Sequence, residues 1–148
     1  WVRGSGYYLY LKSIIKKHSM LENIFFLGPL DAQGVKARML ASNVYVSPSN
    51  IENSPNSLGE AMILGMPCIS SDVGGVKDML KHGEEGYIYP YNEAYMLAYY
   101  IIEVFDMQEK AEILGKRASQ HARITHNSEN NQKQLMSIYQ AISDLVEQ

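Results

Sequence analysis

The sequence predicts an α/β domain, a mostly parallel sheet of Rossmann type flanked by helices, and three observations carry that expectation. Short, unbroken apolar runs such as Ile24-Phe25-Phe26-Leu27, Val44-Tyr45-Val46 and Tyr87-Ile88-Tyr89 suit interior strands covered on both faces. Segments of helical period stand between them, so strand-like and helix-like patterns alternate along the chain. Gly and Pro punctuate the alternation at Gly28-Pro29, Pro48, Gly65, Pro67 and Pro90.

In order along the chain, a first helix is expected from about Tyr7 to His18, with Tyr7, Leu11, Ile14, Ile15 and His18 on one face. A strand at Ile24–Leu27 is stopped by Gly28-Pro29, and a helix over Val35–Ala41 leads to a strand at Val44–Val46. The next helix begins near Asn56 or Ser57 and ends at Gly65, with Pro67 just beyond, the usual pairing of a terminal glycine with a following proline. Strand Cys68–Ser70, a Gly74-Gly75 turn, a short helix through Met79-Leu80 and a turn with Gly83 and Gly86 then bring the chain to strand Tyr87–Tyr89. The remainder reads as helix, with apolar faces at Leu97/Tyr100/Ile101/Val104, at Ala111/Leu114/Ala118/Ala122 and at Leu135/Ile138/Tyr139/Ile142/Leu145. About four strands are fewer than a complete doubly wound domain has, so the 148 residues are expected to be a single domain that lacks its first strand-helix unit and is a piece of a larger protein.

A hydrophobic content of 46% in 148 residues is enough for one real core. The formal net charge of -3, without a basic stripe, argues against a nucleic-acid partner. A single cysteine, Cys68, excludes an internal disulfide and a thiolate cluster and points to a reducing, cytoplasmic setting. No apolar run approaches the roughly 20 residues that span a bilayer, which leaves open a peripheral role for a longer parent at the inner face of the membrane. His18, His82, His121 and His126 have no second ligand at metal spacing, so no metal is expected.

The chemistry concentrates between residues 46 and 75, VSPSNIENSPNSLGEAMILGMPCISSDVGG. Glu52, in a Pro/Asn/Ser-rich loop, and Glu60, early in the next helix, have seven residues between them and flank one helix start. A helix start offers unpaired N–H groups and partial positive charge, which suits a diphosphate and leaves the carboxylates for sugar hydroxyls. Other roles compete for each residue. Ser57-Leu58-Gly59-Glu60 has the form of a capping box, Ser54-Pro55 is a rival helix start, Glu52 fits a solvated loop, and Gly74-Gly75 fits a tight turn.

The order of the whole string carries a resemblance. Glu52 and Glu60, Glu60-Ala61-Met62, Gly65-Met66-Pro67 and Asp72-Val73-Gly74-Gly75 follow one another, with Phe26-Leu27-Gly28 upstream and Gly86-Tyr87-Ile88-Tyr89-Pro90 downstream. This resembles the C-terminal, donor-binding half of retaining GT-B glycosyltransferases of family 4 (group 1), many of which assemble bacterial polysaccharide and lipopolysaccharide. The resemblance implies that Glu52 holds hydroxyls of the donor sugar at the catalytic centre. It implies that Glu60 holds the ribose, that the N–H groups of Asn56, Ser57 and Leu58 receive the diphosphate, and that Phe26, Leu27 and Gly28 lie near the base. The donor would be a UDP-, GDP- or ADP-sugar with no metal, and the acceptor would be bound by an N-terminal domain of the parent, so that this chain alone would be inactive. Many members have Glu-Gly-Phe-Gly where this chain has Glu52-Asn53-Ser54-Pro55, a mark of subtype. The arginine and lysine that members place on the diphosphate have no counterpart at motif positions here. A GT-B sugar-nucleotide epimerase and a non-catalytic nucleotide-sugar-binding module are the alternatives.

Overall fold

A computed structural model describes residues 5–146. The elements are α1 (Gly6–Lys17), α2 (Ala32–Leu40), β1 (Tyr45–Ser47), α3 (Asn56–Ile63), β2 (Cys68–Ser71), α4 (Val76–Met79), β3 (Tyr87–Tyr89), α5 (Ala94–Asp106), α6 (Gln108–Thr125) and α7 (Ser128–Val146). They fall into two compact units, Trp1–Arg38 and Met39–Gln148.

In the first unit Ser5 caps α1, its side chain accepting the Tyr8 N–H at 3.3 Å. Ile15 is the buried residue of α1, and the Tyr8 ring packs edge-on against Phe26 at 5.2 Å between centroids. The inward face is therefore Tyr8, Leu11, Ile14 and Ile15, whereas Tyr7 and His18, expected on it, are exposed. The expected strand at Ile24–Leu27 joins no ladder among the described residues, and Phe25 is 76% exposed. Apolar content supplies a strand's propensity, but the strand itself exists only where a neighbour takes its N–H and C=O groups.

The second unit holds an all-parallel sheet of three strands in the order β1-β2-β3, against the four or so expected, with Tyr45 opposite Cys68 and Ile69 opposite Tyr87. Every residue of β2 is buried, as a central parallel strand requires, and alternation sends its side chains into two cores. Cys68 joins Leu58, Ala61, Met62, Val76 and Leu80 on one face, while Ile69 joins Tyr87, Tyr89 and Val104 on the other. Helix α6 serves both, with Ala118 and Ala122 in the first core and Ala111 and Leu114 in the second. Small side chains along α6 allow that close approach. A Cβ on Gly115 would stand 2.2 Å from the Gly65 carbonyl oxygen, and Ser119 Oγ donates to the Ile63 carbonyl at 2.9 Å.

Helix α3 ends as expected. Gly65 takes φ +76, and the N–H groups of Gly65 and Met66 donate to Met62 and Ala61, closing the last turn with a left-handed glycine. Its start differs from both capping schemes read in the sequence, because Pro55 occupies the cap position without a side-chain bond. Pro55 is buried and its carbonyl accepts from Leu58 and Gly59, so the chain enters the helix one residue later than a Ser54 cap with Pro55 as the first helical residue would require. Helix α7 forms with the expected period, yet Leu135, Ile138, Tyr139, Ile142 and Leu145 are all at least half exposed.

Candidate functional site

The loop between β1 and α3 is held from below by β2 and the turn after it. Ser71 Oγ donates to the Ser49 carbonyl at 2.6 Å and reaches the Ser47 carbonyl at 3.3 Å, fixing the loop where it leaves the sheet. Farther out, the Gly75 N–H donates to the Asn53 carbonyl at 2.7 Å. Gly74, at φ +52, leaves no room for any other residue, since a Cβ there would lie 1.7 Å from the Glu52 carbonyl oxygen. The two glycines thus provide both a left-handed turn and a place where two backbones touch, and the backbone they touch is that of Glu52 and Asn53.

Glu52 is half-buried, and its Oε1 accepts the N–H of Asn53 at 3.3 Å. Glu60 is exposed on α3, four residues past the first helical one and so about 6 Å along the axis. No capping box forms. Ser57 lies inside the first turn, and its Oγ shares a 2.7 Å hydrogen bond with the Tyr45 hydroxyl from β1; the Glu60 carboxylate has no ion pair or side-chain bond among the described residues. The N–H groups of Asn56 and Ser57 likewise meet no acceptor among the described residues, while the N–H of Leu58 donates to the Pro55 carbonyl at 3.0 Å.

Residues 52, 56, 57, 58 and 60 are therefore brought together around one helix start in the second unit. Leu27 and Gly28 belong to the first unit, Leu27 being 48% exposed and Gly28 taking φ +75. The helix start is supported from behind by α6. His126, just past the end of α6, lays its Nε2 side against Gly59, where a Cβ would meet it at 2.7 Å, and its Nδ1 lies 3.2 Å from the Ala122 carbonyl. Tyr45, Ser71 and His126 were not expected to have a part in this arrangement. Each acts across 12 or more residues of sequence, and no local motif marks such a contact.

Other polar groups are committed elsewhere. Lys77 pairs with Asp72 at 2.7 Å, and buried Glu85 accepts both the Lys81 N–H at 3.1 Å and a contact from His121 Nδ1 at 2.9 Å. His82 Nδ1 accepts the Ile88 N–H at 2.9 Å. Glu103 receives Tyr87 Oη and Lys110 Nζ, and those bonds hold its carboxyl below the usual carboxylate range. Burial pushes the Cys68 thiol up to about 12, so at neutral pH it is a small apolar group. Among the described residues no three of His, Cys, Asp or Glu gather as a metal ion would require. No described helix is long and apolar enough to cross a membrane.

The parallel sheet with helices on both faces, and a polar helix start after β1, define a Rossmann-like architecture of the GT-B kind. The profile of the family "Glycosyl transferases group 1" matches residues 2–121, and the chain belongs to that family. It is 28% identical over 126 residues to the N-acetyl-alpha-D-glucosaminyl L-malate synthase of Bacillus anthracis, covering 85% of this chain and 32% of that protein. Among solved structures, the sucrose-phosphate synthase of Thermosynechococcus elongatus superposes with a TM-score of 0.84 at 25% identity, over 93% of this chain and 35% of that one. HepE of Anabaena, solved in complex with UDP, superposes with a TM-score of 0.79 at 21% identity, over 99% of this chain and 38% of that one. The chain thus spans about a third of the length of the proteins it resembles.

Proposed function

We propose that this chain is the donor-binding half of a retaining glycosyltransferase that moves a sugar from a nucleoside diphosphate to an acceptor hydroxyl in polysaccharide or lipopolysaccharide assembly. The observation that carries the proposal is the start of α3, where, among the described residues, two N–H groups lack acceptors and two glutamates stand without ion pairs. Uncommitted donors and acceptors beside one helix start suit a ligand that is anionic in one part and hydroxylated in another.

In this reading Asn56 and Ser57 donate their N–H groups to the diphosphate, and Leu58 contributes through the helix dipole because its own N–H already serves Pro55. Glu52 accepts hydroxyls of the sugar, and Glu60 accepts those of the ribose. During transfer the bond from the anomeric carbon to the diphosphate oxygen breaks and a bond to the acceptor oxygen forms on the same face. The acceptor proton passes to the oxygen of the departing nucleoside diphosphate. Charge builds up on the leaving diphosphate, where the preorganised N–H groups of α3 are of most use. No metal ion is assigned to the donor, and chelation is expected to leave affinity unchanged. The acceptor falls to another domain of a longer parent working in the cytoplasm.

Titration of the chain with UDP, GDP and ADP, each with and without its sugar, tests the reading by calorimetry. Because HepE was solved with UDP, the uridine nucleotide is the first to try. Glu60→Ala is expected to weaken binding about tenfold while leaving stability within roughly 0.5 kcal/mol, since no capping box is lost. Unchanged affinity with lowered stability would return Glu60 to a purely structural role. Conversion of a nucleotide sugar to its epimer without any acceptor would replace transfer by epimerisation.

A further inference from the structure

Charge is divided unequally between the two units. The first, Trp1–Arg38, has six Lys and Arg against two Asp and Glu, a net of +4, whereas the second has seven against fourteen, a net of -7. Half of the first unit's positive charge is on α1, which carries Lys12, Lys16 and Lys17 and no acidic residue. We propose that the outer face of α1 is a docking surface for an anionic lipid bilayer.

The geometry of the helix supports this occupant. At about 100° per residue, Leu9, Tyr10, Ser13, Lys16 and Lys17 are all turned about 100° or more away from buried Ile15. Leu9 is 57% exposed and Tyr10 58%, and the Tyr7 and Tyr10 rings stack at 6.4 Å between centroids, so the first two turns expose a leucine and a pair of aromatic rings. Lys16 and Lys17 follow in the last turn. Helix-dipole complementarity alone would explain cations there, but it gives no reason for leucine and tyrosines to face water one turn earlier. An interface that takes aromatic rings and leucine at the level of the headgroups, and lysine tips against lipid phosphates, accounts for both halves of the face. Lysine's point charge suits a diffuse anionic surface, and the described helix has no arginine fork of the sort that nucleic-acid recognition favours.

Helix α7 is the natural control. It exposes an apolar face of comparable extent, but with Glu129, Lys133 and Asp144 it is slightly acidic. The experiment is co-sedimentation of the whole chain with vesicles of phosphatidylcholine, pure or with about one lipid in three replaced by phosphatidylglycerol. Binding is expected to the anionic vesicles only and to fall with added salt. Lys16→Glu/Lys17→Glu is expected to lower the partition coefficient about tenfold or more, Leu9→Ser/Tyr10→Ser to lower it similarly, and Leu135→Ser/Ile138→Ser to leave it unchanged. Circular dichroism of each variant keeps loss of fold separate from loss of binding. Equal binding to neutral vesicles, indifference to the α1 substitutions or dependence on α7 overturns the proposal. A single-stranded oligonucleotide that displaces the chain from the vesicles and binds independently of Leu9 and Tyr10 would assign the face to nucleic acid instead.

Discussion

At the scale of the residue, Gly74 shows how the Glu52 loop is held by an absence. With φ +52 and the Glu52 carbonyl occupying the space of a Cβ, Gly74→Ala must displace either the turn or the glutamate loop. It is expected to lower unfolding free energy by at least about 1–3 kcal/mol in denaturant titration, and to weaken nucleotide binding beyond what stability alone explains. Tyr45 and Ser57 offer a gentler test. Tyr45→Phe and Ser57→Ala each remove the 2.7 Å hydroxyl pair, so a double-mutant cycle should return a coupling of about 0.5–1.5 kcal/mol. Cys68 contributes a pH dependence whose direction follows from burial. Its folded pKa of about 12 lies above that of an unfolded thiol, so the native state retains a proton that the unfolded chain gives up. Stability from this group is therefore full below the unfolded value near pH 9 and is lost progressively towards pH 12, and a thiol reagent at neutral pH should label the native chain only as it unfolds.

At the scale of the element, α3 is clamped at both ends by α6, and the two clamps differ in how far they can yield. A Cβ on Gly115 meets backbone oxygen at 2.2 Å, whereas one on Gly59 meets the far edge of the His126 ring at 2.7 Å, and a ring can rotate away. Gly115→Ala is accordingly expected to lower the unfolding midpoint more than Gly59→Ala, a comparison that thermal melts of the two variants would decide. The termination of α3 at Gly65-Met66-Pro67 was readable in sequence, because a left-handed glycine and a following proline are local signals. Its start was not, because Ser54, Pro55 and Ser57 all offer plausible caps. The choice of Pro55 came from burial of the proline and from Tyr45 drawing Ser57 aside. Likewise the apolar run at Ile24–Leu27 has the composition of a strand, but pairing depends on a partner that composition does not reveal.

At the scale of the whole molecule, stability is concentrated in the two cores that share β2 and α6, and no side chain described on α7 is buried. Deleting residues 128–148 should change the unfolding free energy of the remainder by less than about 1 kcal/mol, and limited proteolysis should cut within α7 first. Charge divides along a different line, with the basic first unit set against an acidic second, so variants of α1 and of α3 should affect vesicle binding and nucleotide binding separately.

The sequence by itself determined the α/β class, the order and approximate bounds of the elements from α1 to β3, a helical remainder with three apolar faces, and the family to which the chain belongs. Each of these is written in local signals, namely apolar period, glycine and proline punctuation, and a motif string of short spacings. Only the tertiary structure decided that the Gly74-Gly75 turn grips the backbone of Glu52, that Ser57 bonds to Tyr45, and that α7 keeps its apolar face open. Those outcomes depend on contacts between residues distant in sequence, where what fills a given space is settled by packing and hydrogen-bond competition rather than by the propensity of any one segment.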